Sequence, residues 1–455
     1  MSTPLRVLVV LGLLASVLTA CGAAPNPTAV PAKPAGQGPA PTTAPAVATG
    51  PVKTLRLMSM STELVDVFSD VGKQLTAKMP GYAVEVSAVP GVAEFNAAMA
   101  AKLAAGDPPD IFVYQWGTQI QLYAKGGNVL DLTSSNLIDR IRPIRKPYNV
   151  YQGKVYALPL VQSVWGVYYN KGVAQKYGYT SDFPKTWDKF LAMLDTLQKA
   201  GLKEPIVIAG ADGSGATAFT FGYLHTVVSG KNPDFYMQTL EGTKTWNGQE
   251  WRDLFTAYGQ LMKYTAADKL GLSIDDAERR FAKGDAVIFF NGSGVLNTIR
   301  KLNPDANFTL EPAPYVTDEK DWVAMSDYDS AISISSKTKY PEAALAFFDL
   351  LFTPENGNKV AKALSSLSSV KGATATFDPA LSSHIPLIEA GKFVGYSERE
   401  WIPGIKEIMK KATQDWMAGT DLDTVLNRLE AEHQRLLAAT PSFKADYFEL
   451  RANMK

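Results

Sequence analysis

From Leu55 onward, apolar positions recur with two different periods, and the segments they mark alternate along the chain. Residues 55–58 begin an alternating strand. Across 61–79, Val65, Phe68, Val71, Gly72 and Leu75 fall near a 3.6-residue period, which predicts a helix stopped by Pro80-Gly81. Residues 82–89 alternate loosely as a strand. Helical spacing returns over 94–105, with Phe95, Ala98, Met99 and Leu103 on one face and Gly106 as the stop. Ile111-Phe112-Val113-Tyr114 is an unbroken apolar run, the pattern of a strand covered on both faces. Strand, helix, strand, helix, strand predicts an α/β sheet. Ligands of such sheets bind beyond the carboxyl ends of the strands, and that end here carries Gln115 and Trp116.

Further along, 155–159 reads as a short extended run in which Pro159 is hard to seat in a central strand. Residues 164–169 read as a second extended piece, rich in β-branched and aromatic residues. The polar pair Gln162-Ser163 separates the two, and Asn170-Lys171-Gly172 ends the second with turn chemistry. A helix is expected over 186–200, with Thr186 as N-cap and Phe190, Leu191, Leu194 and Leu197 inward. A strand over 205–210 leads into the glycine-rich 210–215. That loop lacks Gly-Lys-Ser/Thr and the G-x-G-x-x-G spacing, so it is a tight turn rather than a phosphate cradle. A helix stops at Gly284, a strand follows over 286–290, and Asn291-Gly292-Ser293-Gly294 ends it. Asp327-Tyr328-Asp329-Ser330 precede a strand at 331–334, Pro341 opens a helix, and Thr353 caps the next. The last eighty residues read as helices, including an amphipathic one over 421–437. Between them a loop at 392–403 holds Phe393, Tyr396 and Trp401 among Glu398, Arg399 and Glu400, and reads either as a lid or as a surface connection.

A chain of 455 residues exceeds one comfortable core, so two domains are expected. Lys and Arg number 45, as do Asp and Glu, and no basic tract breaks the balance, which argues against a nucleic-acid partner. Residues 1–20 have a basic start at Arg6 and an apolar run over 7–18, shorter than the ~20 residues that span a bilayer. Leu18-Thr19-Ala20-Cys21 follows and resembles the lipobox of bacterial lipoproteins, which implies a signal peptide at 1–20 and a lipid on Cys21. Cys21 is the only cysteine, so this chain has no internal disulfide and no other thiol for catalysis or metal binding. Residues 21–53 are dominated by Ala, Pro, Thr and Gly and read as a disordered tether between anchor and folded body.

Several motifs together resemble family 1 extracellular solute-binding proteins, the carbohydrate receptors of ABC importers. They are Leu103-Ala104-Ala105-Gly106-Asp107-Pro108-Pro109-Asp110-Ile111-Phe112, the run Gly153-Lys154-Val155-Tyr156 with Pro159 leading to Tyr168-Tyr169-Asn170-Lys171, and Phe281 and Gly284 followed by Gly292. Lys189 stands where the family carries an acid, which removes the partner of a capping box. The resemblance implies a two-lobed, type II periplasmic-binding-protein-like α/β fold, each lobe a mixed sheet flanked by helices, with a hinge between them. It implies an N-terminal lobe of 54–162 and 330–370 and a C-terminal lobe of 163–329 and 371–455. It also implies an extracytoplasmic, lipid-anchored monomer with a carbohydrate ligand, an ABC permease as partner and no cofactor.

Sugars present apolar C–H faces and rings of hydroxyls, so their sites combine aromatic platforms with planar polar groups. The candidates are Trp165, Trp116 and Trp401 as platforms and Asp327, Asp329, Asn291 and Gln115 as polar partners, with Trp165 and Asp327 foremost. No catalytic or metal-ligating set is nominated. A glycoside hydrolase would need two carboxylates at a set separation, and Asp327/Asp329 or Glu398/Glu400 do not guarantee it by spacing alone. His225, His384 and His433 are scattered and form no zinc-type spacing. A receptor for a polyamine, a peptide or a metal is the remaining alternative.

Overall fold

Three parallel strands open the fold: β1 (Lys53–Ser59), β2 (Tyr82–Ala88) and β3 (Ile111–Gln115), with β1 in the middle. This is a computed structural model, and it describes residues 51–142, 148–211, 213, 215–373 and 378–453, all within the unit Ala48–Lys455. The expected signal peptide, Cys21 and nearly all of the tether lie outside the described residues, as do Asp212 and Ser214 of the glycine-rich loop. The hairpin β4 (Val150–Tyr151) and β5 (Lys154–Val155) stands apart from the main sheet. Next come β6 (Leu158–Asn170), β7 (Ile206–Val207), β8 (Ile288–Gly292), β9 (Phe308–Glu311), β10 (Ala324–Ile334), β11 (Leu367–Ser368) and β12 (Phe393–Val394). The described residues form a ten-stranded main sheet with the order β2-β1-β3-β10-β6-β8-β7; β9 and β11 add on to β6, and β12 on to β10.

Most of the periodic elements stand where their patterns predict them. The helix Val65–Lys78 buries Phe68, Val71, Gly72 and Leu75. Gly72 lets it lie against β2, because a Cβ there would come within 2.9 Å of the Val84 Cβ. In β3 the apolar run is split between two cores: Ile111 and Val113 join one, Phe112 and Tyr114 the other. That is the double coverage its sequence predicts. Complete burial of one such side chain contributes about 1.5–3 kcal/mol. Asp110 anchors the start of β3, accepting the Arg56 N–H at 2.8 Å and the Thr338 hydroxyl at 2.7 Å. The helix Trp187–Lys199 begins at Thr186, whose hydroxyl donates to Asp188 at 2.6 Å, while Lys189 turns to Glu319 at 2.6 Å.

Three expectations need correction. The extended pieces on either side of Gln162-Ser163 are one strand, β6. The polar pair stays in the ladder opposite Tyr328 and Asp327, and the Ser163 Oγ shares a hydrogen bond with the Tyr396 hydroxyl at 3.0 Å. Pro159 does sit in this central strand. The pairing shifts register on both sides of Ser330, next to Val161 and Pro159, so the ladder is irregular where proline has no N–H to donate. Residues 327–330 likewise lie inside β10 rather than before it, and Asn291-Gly292 lie inside β8.

β6 and β10 carry the chain between two sets of cores. The first half of β6 pairs with β10 and β11, and its second half pairs with β8 and β9. Trp165 sits at the change-over, opposite Met325 of β10 on one side and Gly292 of β8 on the other. The first cores hold Leu55, Phe68 and Phe347, and Phe95, Trp116 and Tyr123. Those beyond the change-over hold Val167, Phe190 and Tyr258, and Tyr168, Phe281 and Leu310. A helical layer with Trp246, Trp251, Trp401 and Leu426 completes that side. This is the two-lobed α/β architecture that the alternating pattern and the resemblance imply. Among the described residues no helix is long and apolar enough to cross a membrane.

Candidate functional site

At the change-over point the strands leave a cavity of about 330 Å³. One wall is strand: Ser163, Val164 and Trp165 of β6, Asn291 and Gly292 of β8, Met325 and Asp329 of β10, and Gln115 at the end of β3. The Trp165 indole is half-buried and lies over Gly292, where a Cβ would stand 2.9 Å from the indole Cε3. Glycine is therefore what lets the ring come this close to its neighbouring strand. The Trp165 Nε1–H has no hydrogen-bond partner among the described residues. Asn291 turns its Oδ1 back to accept the Gly292 N–H at 2.8 Å, leaving its amide NH₂ on the wall.

The facing wall is built from Tyr396, Glu398 and Arg399, from Phe221 and His225, and from Lys406 and Lys410 of the helix Ile405–Met417. Arg399 is the keystone of this wall. Its side chain is 4 % exposed, and it donates to Asp329 at 2.7 Å, to the Trp116 carbonyl at 3.1 Å and to the Tyr328 carbonyl. Its guanidinium also covers the Tyr396 ring, 4.6 Å from the centroid. Burial works against its charge, but Asp329, Asp327 and Glu398 outweigh burial and raise its pKa. The Glu398 carboxylate comes to 2.9 Å from the His225 Nε2. Burial opposes its ionisation too, yet His225, Lys406 and Arg399 hold it well below the usual carboxylate range. The other His225 nitrogen faces the Ser397 hydroxyl at 2.8 Å. The stretch expected as a lid or surface loop is thus packed inward, with its charges paired.

The structure brings Trp165, Gln115, Asn291 and Asp329 together on one cavity. Trp116 and Trp401 are not on it. Trp116 is fully buried between Tyr148 and Tyr328, and Trp401 packs edge-on to Trp246 in the helical layer. Both border a second cavity of about 430 Å³, which shares only Gln115, Glu398 and Arg399 with the first. Asp327 lines neither. It is buried, and its oxygens accept the Tyr328 N–H at 2.8 Å and the Tyr396 N–H at 3.0 Å, tying β10 to the facing wall. Gly395 makes that approach possible, since a Cβ there would stand 2.7 Å from the Asp327 Oδ2. His225, Tyr396, Glu398, Arg399, Lys406 and Lys410 line the cavity without having been candidates. The signal for two of them, Glu398 and Arg399, was in the sequence, as charges set between two large aromatics, Tyr396 and Trp401. Among the described residues no three His, Cys, Asp or Glu side chains are placed to hold a metal ion.

The family model of the bacterial extracellular solute-binding proteins matches residues 61–358. The chain belongs to that family. It is a family of solute receptors, and its members act outside the cytoplasm. The chain is 24% identical over 329 residues to the multiple sugar-binding protein of Streptococcus mutans serotype c, covering 70% of this chain and 76% of the relative. It is 24% identical over 364 residues to the melibiose/raffinose/stachyose-binding protein of Bacillus subtilis, covering 75% and 80%. Among solved structures, a chitin oligosaccharide binding protein superposes with a TM-score of 0.71 at 23% identity, over 86% of this chain and all of the other. The solute-binding protein RafE in complex with raffinose superposes with a TM-score of 0.72 at 21% identity, over 85% and 100%. These likenesses place this extracellular solute-binding protein in the same two-lobed fold.

Proposed function

We propose that this protein is the substrate-binding lipoprotein of an ABC importer, holding a saccharide between its lobes beside Trp165 and delivering it to a membrane permease. The single observation that carries the reading is the Trp165 indole. It lies half-buried on the cavity wall at the strand change-over, ringed by Gln115, Asn291 and Asp329. An indole face suits the C–H face of a sugar, and the amides and carboxylate match hydroxyls. The names of the relatives, which include melibiose, raffinose and stachyose, support the ligand class. In this reading the lobes are 54–162 with 330–370 and 163–329 with 371–455. They hinge where β6 and β10 cross, and the ligand biases closure through contacts made by both. Cys21 carries the lipid that fixes the receptor to the membrane.

The charges also favour a receptor over a glycoside hydrolase. Such an enzyme needs one carboxylic acid kept protonated to donate to the leaving oxygen. Of the two carboxylates on the wall, Asp329 is tied to Arg399 and Glu398 is held ionised opposite His225. Calorimetric titration with a panel of mono-, di- and trisaccharides, run beside an assay for released reducing ends, tests the proposal. Saturable binding near micromolar strength, about −8 kcal/mol, with no released product is expected. Sustained hydrolysis, or heat-silent titrations across the panel, would overturn it.

A further inference from the structure

The wall opposite Trp165 carries more positive charge than the strand wall answers. Three cations line the cavity, Arg399, Lys406 and Lys410, against two carboxylates, Asp329 and Glu398. Arg399 and Asp329 neutralise each other at 2.7 Å. Glu398 is faced by His225 at 2.9 Å. Lys410 has a partner at 3.0 Å in Glu407, but that carboxylate is 70% exposed and is not on the cavity wall. Lys406 forms no close ion pair among the described residues, although its charge acts on Glu398; its ammonium stands over the Phe221 ring, 5.2 Å from the centroid. Among the described residues, the Lys, Arg, Asp and Glu side chains of the lining therefore leave one positive charge in excess.

The aromatic side of the balance points the same way. Trp116 and Trp401 are buried and border the neighbouring cavity instead, so Trp165 is the tryptophan on this wall. A cavity of about 330 Å³ is also at the small end of the ~300–1,000 Å³ typical of ligand sites. A long neutral glycan stacked on several rings is poorly served by such a site. A neutral sugar closing onto Lys406 would strip water from the ammonium and return only hydroxyls, whereas an anionic group returns charge-assisted hydrogen bonds.

Resting on the receptor reading of this cavity, we infer that the preferred ligand is a short anionic saccharide whose acidic group is received by Lys406, with Lys410 one turn further along the same helix. The acidic group is a carboxylate, as in a uronate, or a sulfate ester; the two share the chemistry that Lys406 recognises.

Calorimetry on matched pairs tests this: galacturonate against galactose, digalacturonate against its neutral galactose disaccharide, and a sulfated against an unsulfated disaccharide. The anionic member of a pair is expected to bind at least about tenfold more tightly, and the uronate and sulfate arms show which acid is read. In Lys406→Met, with its thermal midpoint checked against the parent, that preference, read as the ratio of the two affinities within each pair, should shrink to within about twofold. Raising salt should weaken only the anionic member. Equal or tighter binding of neutral sugars, or an undiminished preference in K406M, would overturn the inference and leave the sugar-receptor reading standing. Failure of every saccharide, charged or neutral, would overturn both.

Discussion

The two walls of the cavity are built in opposite ways. The strand wall is held by backbone: β6, β8 and β10 supply its ladder, and Trp165 is laid on it by a glycine across the pairing. The facing wall at 396–401 is a single 3-10 turn, Ser397–Glu400, with no ladder to hold it, and is fixed by side chains that reach far along the chain. Arg399 reaches the carbonyls of Trp116 and Tyr328, and the carboxylate of Glu400 accepts from Tyr148 at 2.7 Å and from Tyr447 at 3.1 Å. A ladder tolerates loss of one side chain because its hydrogen bonds remain. A side-chain network does not, because each loss strands buried partners. The strand wall can therefore specialise in touching ligand, while the facing wall depends on keeping its charges satisfied.

Arg399→Ala should cause the largest change. It takes a donor from two backbone carbonyls and the ion pair from a half-exposed Asp329, and about 3 kcal/mol of stability should go. Urea unfolding at neutral pH measures this, and a loss under 1 kcal/mol would mean the wall stands without its keystone. Trp165→Ala should do the reverse. Saccharide affinity should fall at least ~100-fold, about 2.7 kcal/mol, while stability drops by only about 1–2 kcal/mol for a half-buried ring. Affinity unchanged by calorimetry would take Trp165 out of the site.

Acid should separate the walls by where along the pH scale they weaken. Behind the strand wall, His384 is buried near Gly166, and burial lowers its pKa from 6.5 to about 4. Between those values the unfolded chain binds the proton and the folded chain does not, so stability falls as pH drops from about 6.5 toward 4. By pH 5 this amounts to roughly 2 kcal/mol for one such ring. Glu398 acts below that window. Its folded value is depressed, so its contribution is complete above the ordinary carboxylate range and is lost only as pH falls beneath it. Unfolding measured from pH 7.5 to 5 should thus decline, and His384→Gln should flatten the decline whatever it does to stability at pH 7.5. An unaltered slope would refute the assignment to His384. Gly292→Ala should have the smallest effect. The new methyl meets the indole at 2.9 Å and tilts it, and affinity should weaken about tenfold with little change in the unfolding midpoint.

Much of the fold was legible because a short period in a local window settles it. The helix over 65–78, the doubly buried β3 and the helices opened by Pro341 and capped by Thr353 stand where spacing and caps put them. The reading of β6 as two pieces failed for a reason that is not local. Gln162 and Ser163 look like a break, but Gln162 keeps its place in the ladder opposite Tyr328, and Ser163 finds a side-chain partner in Tyr396, more than two hundred residues away. The charged run at 398–400 reads as part of a lid or a surface connection for the same reason. Its partners Asp329, His225, Tyr148 and Tyr447 are scattered over the sequence and meet only in the folded chain. Trp165 was nominated as a platform and lines the cavity, whereas Trp116 and Trp401, equally aromatic in the sequence, were drawn into cores.

By itself, then, the sequence determined most of the segments that become strands and helices, that they alternate into an α/β chain, and which aromatic and polar residues were available to a ligand; the two lobes came from the resemblance. Only the tertiary structure decided which of those residues face a common space. Local periodicity is encoded by neighbours within a turn or two. The fate of a tryptophan or a carboxylate is set by whichever distant side chain reaches it first, and that contact exists only once the lobes have packed.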